Sequence, residues 1–411
     1  MRSRSQAWTA LGLLTALNLF NYVDRYVLPA VQPEVQKEFH VSDAQIGFLT
    51  TSFFLCYMVA APVMGWLADR YPRRVLICLG GLVWSGATLL TYYTHTFNEL
   101  LVRHTVVGVG EATFATIAPA FIADYFPEEK RGRALGFFNV ALPLGVALGY
   151  AVGGWLAPTH GWRAPFYVAA LPGAVLALAM LAVREPERGA SDHLRPTSQG
   201  TALRGLLHNP AFWTATLGMA MLTFSLGGLS VWMPTFLSRM RGYSLQHANY
   251  LFGAIIAADG TIASLAGGWL GDRLLRRTRS AYYLVSAASM GLGIPIMAIA
   301  LFNRGPAMVP GIALAGFLLL LNTAPLNAAV INSVGGHIRA TAIAANIFVI
   351  HFLGDAFSPW LIGKISDRSS LESGFISTVV ATALSSAILF YGMRFAPPVG
   401  TRGAQVAREG H

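Results

Sequence analysis

Gly65-Trp66-Leu67-Ala68-Asp69-Arg70 is written a second time, 203 residues on, as Gly268-Trp269-Leu270-Gly271-Asp272-Arg273. Each copy closes a long apolar stretch and opens an Arg-rich turn, and the offset is about half of the 411 residues. A chain that repeats such a phrase at half its length reads as a duplicated helical bundle.

Working outward from the two copies, 54% of the residues are hydrophobic and only 12% are charged, too apolar for a domain with a water-facing surface. A bilayer is the implied solvent. Stretches of mostly apolar residues fall at 7–31, 44–68, 75–95, 98–125, 131–157, 163–183, 211–238, 245–271, 280–302, 307–334, 339–366 and 371–394. Each is long enough to cross about 30 Å of hydrocarbon, and backbone amides in lipid must pair internally, so each is expected to be a helix. The expected fold is an all-α integral membrane protein of twelve transmembrane helices in two six-helix, pseudo-symmetric halves. Residues 1–184 form the first bundle, 185–209 a polar linker, 210–394 the second bundle and 395–411 a tail.

Arginines set the expected orientation. The N-terminal Arg2 and Arg4, the turns at Arg70, Arg73 and Arg74 and at Lys130, Arg131 and Arg133, the linker's Arg184, Arg188, Arg195 and Arg204, and the turn at Arg273, Arg276, Arg277 and Arg279 share one side. The positive-inside rule makes that side cytoplasmic, with both termini on it, in a multi-pass cell (inner) membrane protein. The net charge of +10 is spread over these short turns, which argues against a nucleic-acid partner. Cys56 and Cys78 lie within spans and imply no disulfide framework. The first span is too long for a signal-peptide core and is expected to stay in the mature protein.

Gly145, Gly149 and Gly153 recur every four residues, a face on which another backbone can come close. Pro62, Pro119, Pro143, Pro234, Pro325 and Pro359 sit inside spans, where they can kink a helix.

Ionisable residues inside the hydrocarbon are expensive and mark functional sites by default. They are Asp24 and Arg25 in the first span, Arg103 and Glu111 in the fourth, Asp259 in the eighth, and His351 with Asp355 in the eleventh. The acids outnumber the arginines four to two, so some carboxyls lack a guanidinium partner. A carboxyl able to shed and regain a proton is what proton coupling requires. Asn18, Asn21 and Arg25 make a polar stripe with Asp24 at its edge, facing a cavity or another helix. Arg103 and Glu111 can share a face at different depths, so that Arg103 pairs with a neighbouring carboxylate while Glu111 titrates. His351, Asp355 and Ser358 share a face too, and a His within reach of an Asp is a pH-sensitive pair. Asp69, Arg70, Arg74, Asp272 and Arg273 lie at span ends, where a gating or structural role is expected.

The phrase from Gly65 to Arg70, continued through Pro72, Arg73 and Arg74, resembles the loop between helices two and three of the major facilitator superfamily. Arg103 with Gly108 and Gly110 resembles its fourth-helix motif, and Arg184-Glu185-Pro186 its exit from helix six. Pro72 stands where a Gly is common. Asn21-Tyr22-Val23-Asp24-Arg25, Gly108-Val109-Gly110-Glu111-Ala112, Pro143-Leu144-Gly145 and His351-Phe352-Leu353-Gly354-Asp355 with Ser358-Pro359 are similar to the Spinster branch. The eleventh-helix run favours that branch over the organic-anion symporters.

The resemblance implies a secondary transporter of an amphiphilic lipid, such as a lysophospholipid or phosphorylated sphingoid base, working by alternating access with proton involvement. Asp24 and Glu111, and His351 with Asp355, are then proton-responsive, and Arg25 and Arg103 are their partners or headgroup contacts. Asp259 matches no motif of the family. A cavity for an amphiphile needs a polar and an apolar end. Asn21, Asn322 and Asn327 are candidates for the first, Tyr57, Phe224 and Trp232 for the second. The alternative reading is a proton-coupled symporter of small organic anions such as sugar acids, and a distant one is a membrane-embedded lipid-modifying enzyme. No His-Glu-x-x-His, Gly-x-Ser-x-Gly or phosphate-loop motif is present, so neither catalysis nor a primary pump is expected, and no metal or other cofactor. The expected partners are the substrate, protons and the bilayer, and twelve spans make a complete pathway in a monomer.

Overall fold

The computed structural model describes residues 4–186, 206–334 and 338–397. Most of the expected linker and tail, with Arg2, Arg188, Arg195 and Arg204, lies outside the described residues.

Among the described residues every regular element is helical. In chain order these are α1 (Arg4–Phe39), α2 (Asp43–Ala68), α3 (Arg73–Thr91), α4 (Phe97–Tyr125), α5 (Glu128–Asn139), α6 (Ala141–His160) and α7 (Ala164–Ala179). After the linker come α8 (Pro210–Arg241), α9 (Leu245–Leu275), α10 (Ala281–Phe302), α11 (Met308–Leu320), α12 (Thr323–Asn332), α13 (Arg339–Ile350), α14 (Ser358–Ser366) and α15 (Leu371–Gly392). Eleven helical runs among the described residues are long and apolar enough to cross a membrane. The other crossing, α1, has the length but carries Asp24 and Arg25 along it. It also runs to Phe39 rather than the expected 31, because Glu34, Lys37 and Glu38 end the apolar stretch without ending the helix. Large side chains stay exposed outside, among them Val59 and Leu265 at 72% each, a surface that suits lipid and not water.

Three expected spans are interrupted. The fifth is α5 and α6, the tenth α11 and α12, and the eleventh α13 and α14 joined through a π-turn at His351–Asp355. Each break lies just ahead of a proline: Pro143, Pro325 and Pro359. Proline removes the hydrogen bond to the carbonyl four residues back and crowds it. Pro62, Pro119 and Pro234 sit in unbroken helices. Each broken span carries a poor helix former three to five residues before the proline, Asn139, Asn322 or Gly354, although α10 runs unbroken through Pro295 after Gly291 and Gly293.

Polar caps fix several helix starts, among them those of α2 and α4. Ser42 Oγ accepts from the amide of Gln45 (3.3 Å) and Gln45 Oε1 accepts from the amide of Ser42 (2.9 Å), a capping box that starts α2. Thr96 Oγ1 accepts from the amide of Glu99 (3.2 Å) at the start of α4.

The chain packs as two compact units that do not divide at the linker. The first holds the residues through 186 with Gly227–Ala257 and Ala356–Gly374; the second holds the rest of the later half. The reason is visible inside the first unit, at the helix ends remote from the Arg-rich turns. There Asn249 Nδ2 donates to Ala30 O (2.8 Å), Thr51 Oγ1 to Ala356 O (2.5 Å), and Tyr150 Oη to Ser230 O. A Cβ on Gly47 would lie 2.3 Å from Pro359 O, so α2 and α14 touch backbone to backbone. The glycine face of α6 meets α1 in the same unit: a Cβ on Gly145 or Gly153 would lie 2.5 Å from Tyr22 Cβ or 2.4 Å from Ala30 Cβ.

In the second unit Ala263, Val285 and Leu321 form an apolar cluster. Gly267 lets α9 reach the freed carbonyl ahead of Pro325, where a Cβ would lie 1.9 Å from Leu321 O. Ser225 Oγ donates to Thr378 O (2.9 Å) and Ser385 Oγ to Gly218 O (2.7 Å), tying α8 to α15.

Candidate functional site

The polar stripe of α1 is buried: Asn18, Asn21 and Asp24 are 6%, 2% and 5% exposed. Consecutive helix residues diverge by about 100°, and Asp24 and Arg25 accordingly meet different neighbours. Asp24 Oδ2 accepts from Thr88 Oγ1 of α3 at 2.5 Å. Arg25 donates through Nε (2.9 Å) and through Nη2 to one oxygen, Oε2 of Glu111 on α4. Glu111 is fully buried. Its other oxygen, Oε1, is buried with the side-chain amide of Asn21 beside it. Asn18 Nδ2 is used on Phe138 O (3.1 Å).

Aromatic rings complete the surroundings of Arg25. Its guanidinium carbon lies 5.0 Å from the ring centre of Phe53, 5.3 Å from Tyr22, 5.7 Å from Phe54 and 5.8 Å from Tyr57. His104, which the sequence reading passed over, is buried and packs its ring 5.4 Å from Phe53. It sits seven residues before Glu111, so helical spacing alone puts both on one face of α4.

Arg103 is not part of this group. Its Nη1 donates to Leu90 O and Thr94 Oγ1 (2.6 Å each), and Nη2 lies 3.5 Å from Glu99. Being only six residues into α4, it reaches the end of α3 and the neighbouring carboxylate of Glu99, while Glu111 is bonded by Arg25.

In the second unit His351 Nδ1 lies 2.9 and 3.1 Å from the two carboxylate oxygens of Asp355, across the π-turn. Gly354 allows that turn to seat against α8, where a Cβ would lie 3.0 Å from Ala220 O. Asp259 is 9% exposed, and its Oδ2 finds no partner among the described residues.

The expected cavity residues separate into two kinds. Asn21 and Tyr57 stand beside the Arg25 and Glu111 pair. Trp232 is fully buried with Nε1 donating to Pro359 O (2.9 Å), a joint between α8 and α14. Asn322 is likewise spent, donating to Leu318 O (2.8 Å) and Leu319 O (3.1 Å) and accepting from Ser289 (2.9 Å). Asn327 is exposed and donates to Thr323 O (2.8 Å), and Phe224 is buried in the second unit.

At the Arg-rich ends the central residue is Arg73, which the sequence reading left out of the candidate site. Its Nη1 donates to Asp124 Oδ2 (2.6 Å), its Nε to Glu185 Oε1 (3.1 Å) and its Nη2 to Pro186 O (3.2 Å). Arg74 donates to Leu181 O and Val183 O (3.2 Å each), fastening the end of α7. Asp69 caps the end of α2, its amide donating to Gly65 O (3.2 Å). Arg70 lies 4.0 Å above Trp66, and Arg273 5.2 Å above Trp269, so the duplicated phrase carries the same cation–π stack twice. Asp272 accepts from Tyr282 Oη (2.8 Å).

At the remote ends the hub is Asp43, also absent from the sequence reading. Its carboxylate accepts from Gln36 Nε2 (2.6 Å), Arg239 Nη1 (2.8 Å) and Ser366 Oγ (2.6 Å). Asp367 accepts from the amides of Asp43 (2.8 Å) and Ala44 (3.0 Å), capping α2 from the other half of the chain. Beyond the membrane end of α1, the Arg163 guanidinium bonded to Glu38 (2.6 Å) holds that carboxyl below its ordinary range.

The Major Facilitator Superfamily profile matches residues 14–359. Protein spinster homolog 3 of Danio rerio is 36% identical over 390 residues, covering 90% of this chain and 78% of that protein. Protein spinster homolog 1 of Homo sapiens is 36% identical over 383 residues, covering 87% and 72%. The structure is similar to that of a bacterial homolog to the human lysosomal transporter Spinster, solved inward-facing and unoccupied, with a TM-score of 0.87 at 23% identity over 96% of this chain and 98% of that one. It is also similar to a D-xylose-proton symporter, with a TM-score of 0.76 at 15% identity over 95% and 98%. At such identities the two structures speak for the fold alone, whereas the profile and the relatives cover most of the sequence. With a duplicated helical fold and charged residues held along its inner helix faces, the chain belongs to the Major Facilitator Superfamily, in its Spinster family, and is a multi-pass membrane transporter rather than an enzyme.

Proposed function

We propose that this transporter moves an amphiphilic anion of the lysophospholipid or sphingoid-phosphate class, coupled to protons, by alternating access of the halves 1–184 and 210–394. The observation that carries the reading is the bond from Arg25 to a single oxygen of a fully buried carboxyl, Glu111, beside the buried Asn21 amide. Removing one partner of a buried ion pair typically costs about 3–5 kcal/mol, because the other charge is left uncompensated. A proton on Glu111 therefore leaves the Arg25 charge uncompensated until another anion takes its place. A headgroup phosphate or carboxylate does so through charge-assisted hydrogen bonds, with Asn21 as a second donor. Proton uptake and anion binding then favour one another.

Asp24, held by Thr88, serves as a second proton-exchanging group, and His351 with Asp355 as a pH-sensitive pair in the other half. Arg103 is assigned to holding the turn between α3 and α4. Alternating access requires the Asp43, Arg239 and Asp367 contacts to part when the remote side opens, while the Arg73, Asp124 and Glu185 cluster supports the other side. The Arg-rich side is cytoplasmic, and a monomer suffices.

Purified protein in proteoliposomes tests this, with uptake of a lysophospholipid and of a sugar acid followed with and without a pH gradient. The proposal expects lysophospholipid movement that the gradient accelerates. Gradient-driven uptake of the sugar acid without lysophospholipid binding would overturn the lipid assignment in favour of organic-anion symport.

A further inference from the structure

Four aromatic rings within 6 Å of one guanidinium exceed what packing around a satisfied ion pair requires. Arg25 already has Glu111, yet Tyr22 from its own helix and Phe53, Phe54 and Tyr57 from α2 turn toward it. The arrangement is held from behind. Phe53 is 1% exposed, meets Phe54 edge-on at 5.1 Å and lies against His104 at 5.4 Å. Its backbone carbonyl rests on Gly108, where a Cβ would lie 2.5 Å away, so α4 fixes the position of the ring.

We propose that this aromatic box is the second partner of Arg25, holding the guanidinium in place when Glu111 carries a proton and before an anionic headgroup arrives. The inference rests on the coupling reading above and adds to it the positioning residues that make the exchange possible. A guanidinium stripped of its carboxylate inside the membrane has two other courses. It can swing toward Asp24, or it can draw in water. Ring faces are negative at the centre and take neither a proton nor a counter-ion, so they steady the cation without competing with the substrate. The charged and titratable groups around Arg25 are Asp24 and Tyr22 from α1, Tyr57 from α2, and Glu111 and His104 from α4. Glu111 is bonded to it directly, through Nε and Nη2. Phe53, nearest and most tightly braced, carries the largest share.

Replacing Phe53 with mono-, di- and trifluorophenylalanine tests the box, because fluorination weakens the ring quadrupole while keeping the shape. The full chain is purified in two backgrounds: Glu111→Gln, in which Arg25 has no counter-ion, and intact Glu111 at alkaline pH. Binding of lysophosphatidic acid and the thermal midpoint without lipid are measured in each. In Glu111→Gln both readouts fall stepwise with fluorination, affinity by about tenfold at the trifluoro end. In the alkaline protein with Glu111 intact, affinity changes less than about twofold. Equal losses in the two backgrounds, or a flat series in both, would overturn the proposal. If lysophosphatidic acid binds neither background, the lipid reading fails, and the lipid-free thermal series still decides the box.

Discussion

Asp24 and Arg25, consecutive on α1, do not pair with each other: one is held by Thr88 of α3 and the other by Glu111 of α4. The acid and the base are kept on separate hydrogen bonds, with Glu111 rather than Asp24 bonded to the guanidinium. That separation underlies the first prediction.

Glu111→Gln removes the exchangeable proton but keeps a polar side chain opposite Arg25. Net transport in this variant loses its response to a pH gradient, while exchange of labelled for unlabelled substrate across the bilayer is partly kept. Counterflow and gradient-driven assays on the same vesicles separate the two. An unchanged pH response would assign Glu111 to structure.

Arg73 and Arg70 are three residues apart and contribute very differently. Arg73→Ala leaves Asp124 and Glu185 without their shared cation and is expected to cost about 3 kcal/mol of stability. Arg70→Ala loses an exposed stack on Trp66, expected at about 0.5–1 kcal/mol. Thermal unfolding of the two variants in one detergent compares them, and equal midpoints would refute the assignment.

Much of the architecture is legible in the sequence because a membrane helix announces itself by length and apolarity. The twelve spans, the duplicated phrase and the glycine face of α6 all depend on local spacing. So does the His351 and Asp355 pair, four residues apart on one helix run. What spacing cannot show is contact between distant segments. Asp43 meets Arg239 and Asp367 across 196 and 324 residues. Asp43 also lies just outside the apolar span, where a charge looks like ordinary solvent-facing surface. Arg73 stands beside Arg74, and only the approach of Asp124 and Glu185 decides which of them is buried. Trp232 shows the converse: an aromatic on an apolar face suggests a cavity wall, and spacing does not reveal that its indole is bonded to Pro359 O.

Arg239→Ala removes the cation from the Asp43 hub while Ser366 and Gln36 remain. The remote-side seal then opens more often. A cysteine placed at Thr51, buried there by its bond to Ala356 O, is labelled several-fold faster by a membrane-impermeant maleimide in this variant than in the parent. Unchanged labelling would mean that backbone contacts alone hold the seal.

Gly267→Ala places a methyl where Leu321 O already lies, 1.9 Å from the added carbon. Backbone has no alternative rotamer, so α9 and the break ahead of Pro325 must separate, at an expected cost of about 1–3 kcal/mol. Gly86→Ala, where a Cβ meets nothing within 4 Å, is the control and stays near the parent in thermal unfolding.

Glu38 supplies a pH signature outside the membrane. Its carboxyl is held below the ordinary value by Arg163. The pair therefore stabilises the fold above the ordinary Glu range, and that contribution is lost as pH falls through the lowered value. Glu38→Gln lowers the thermal midpoint at neutral pH, and the difference from the parent vanishes in strong acid. A difference that persists there would point to packing instead.

The central claim is that a proton on Glu111 and an anion on Arg25 come together. Calorimetric titration of the purified protein with a lysophospholipid, in buffers of different ionisation enthalpy near neutral pH, counts the protons taken up per ligand bound. The expected result is net uptake in the parent protein and less in Glu111→Gln, where only Asp24 remains of the two carboxyls. Binding with no proton uptake in the parent, or with the same uptake in both proteins, would contradict it.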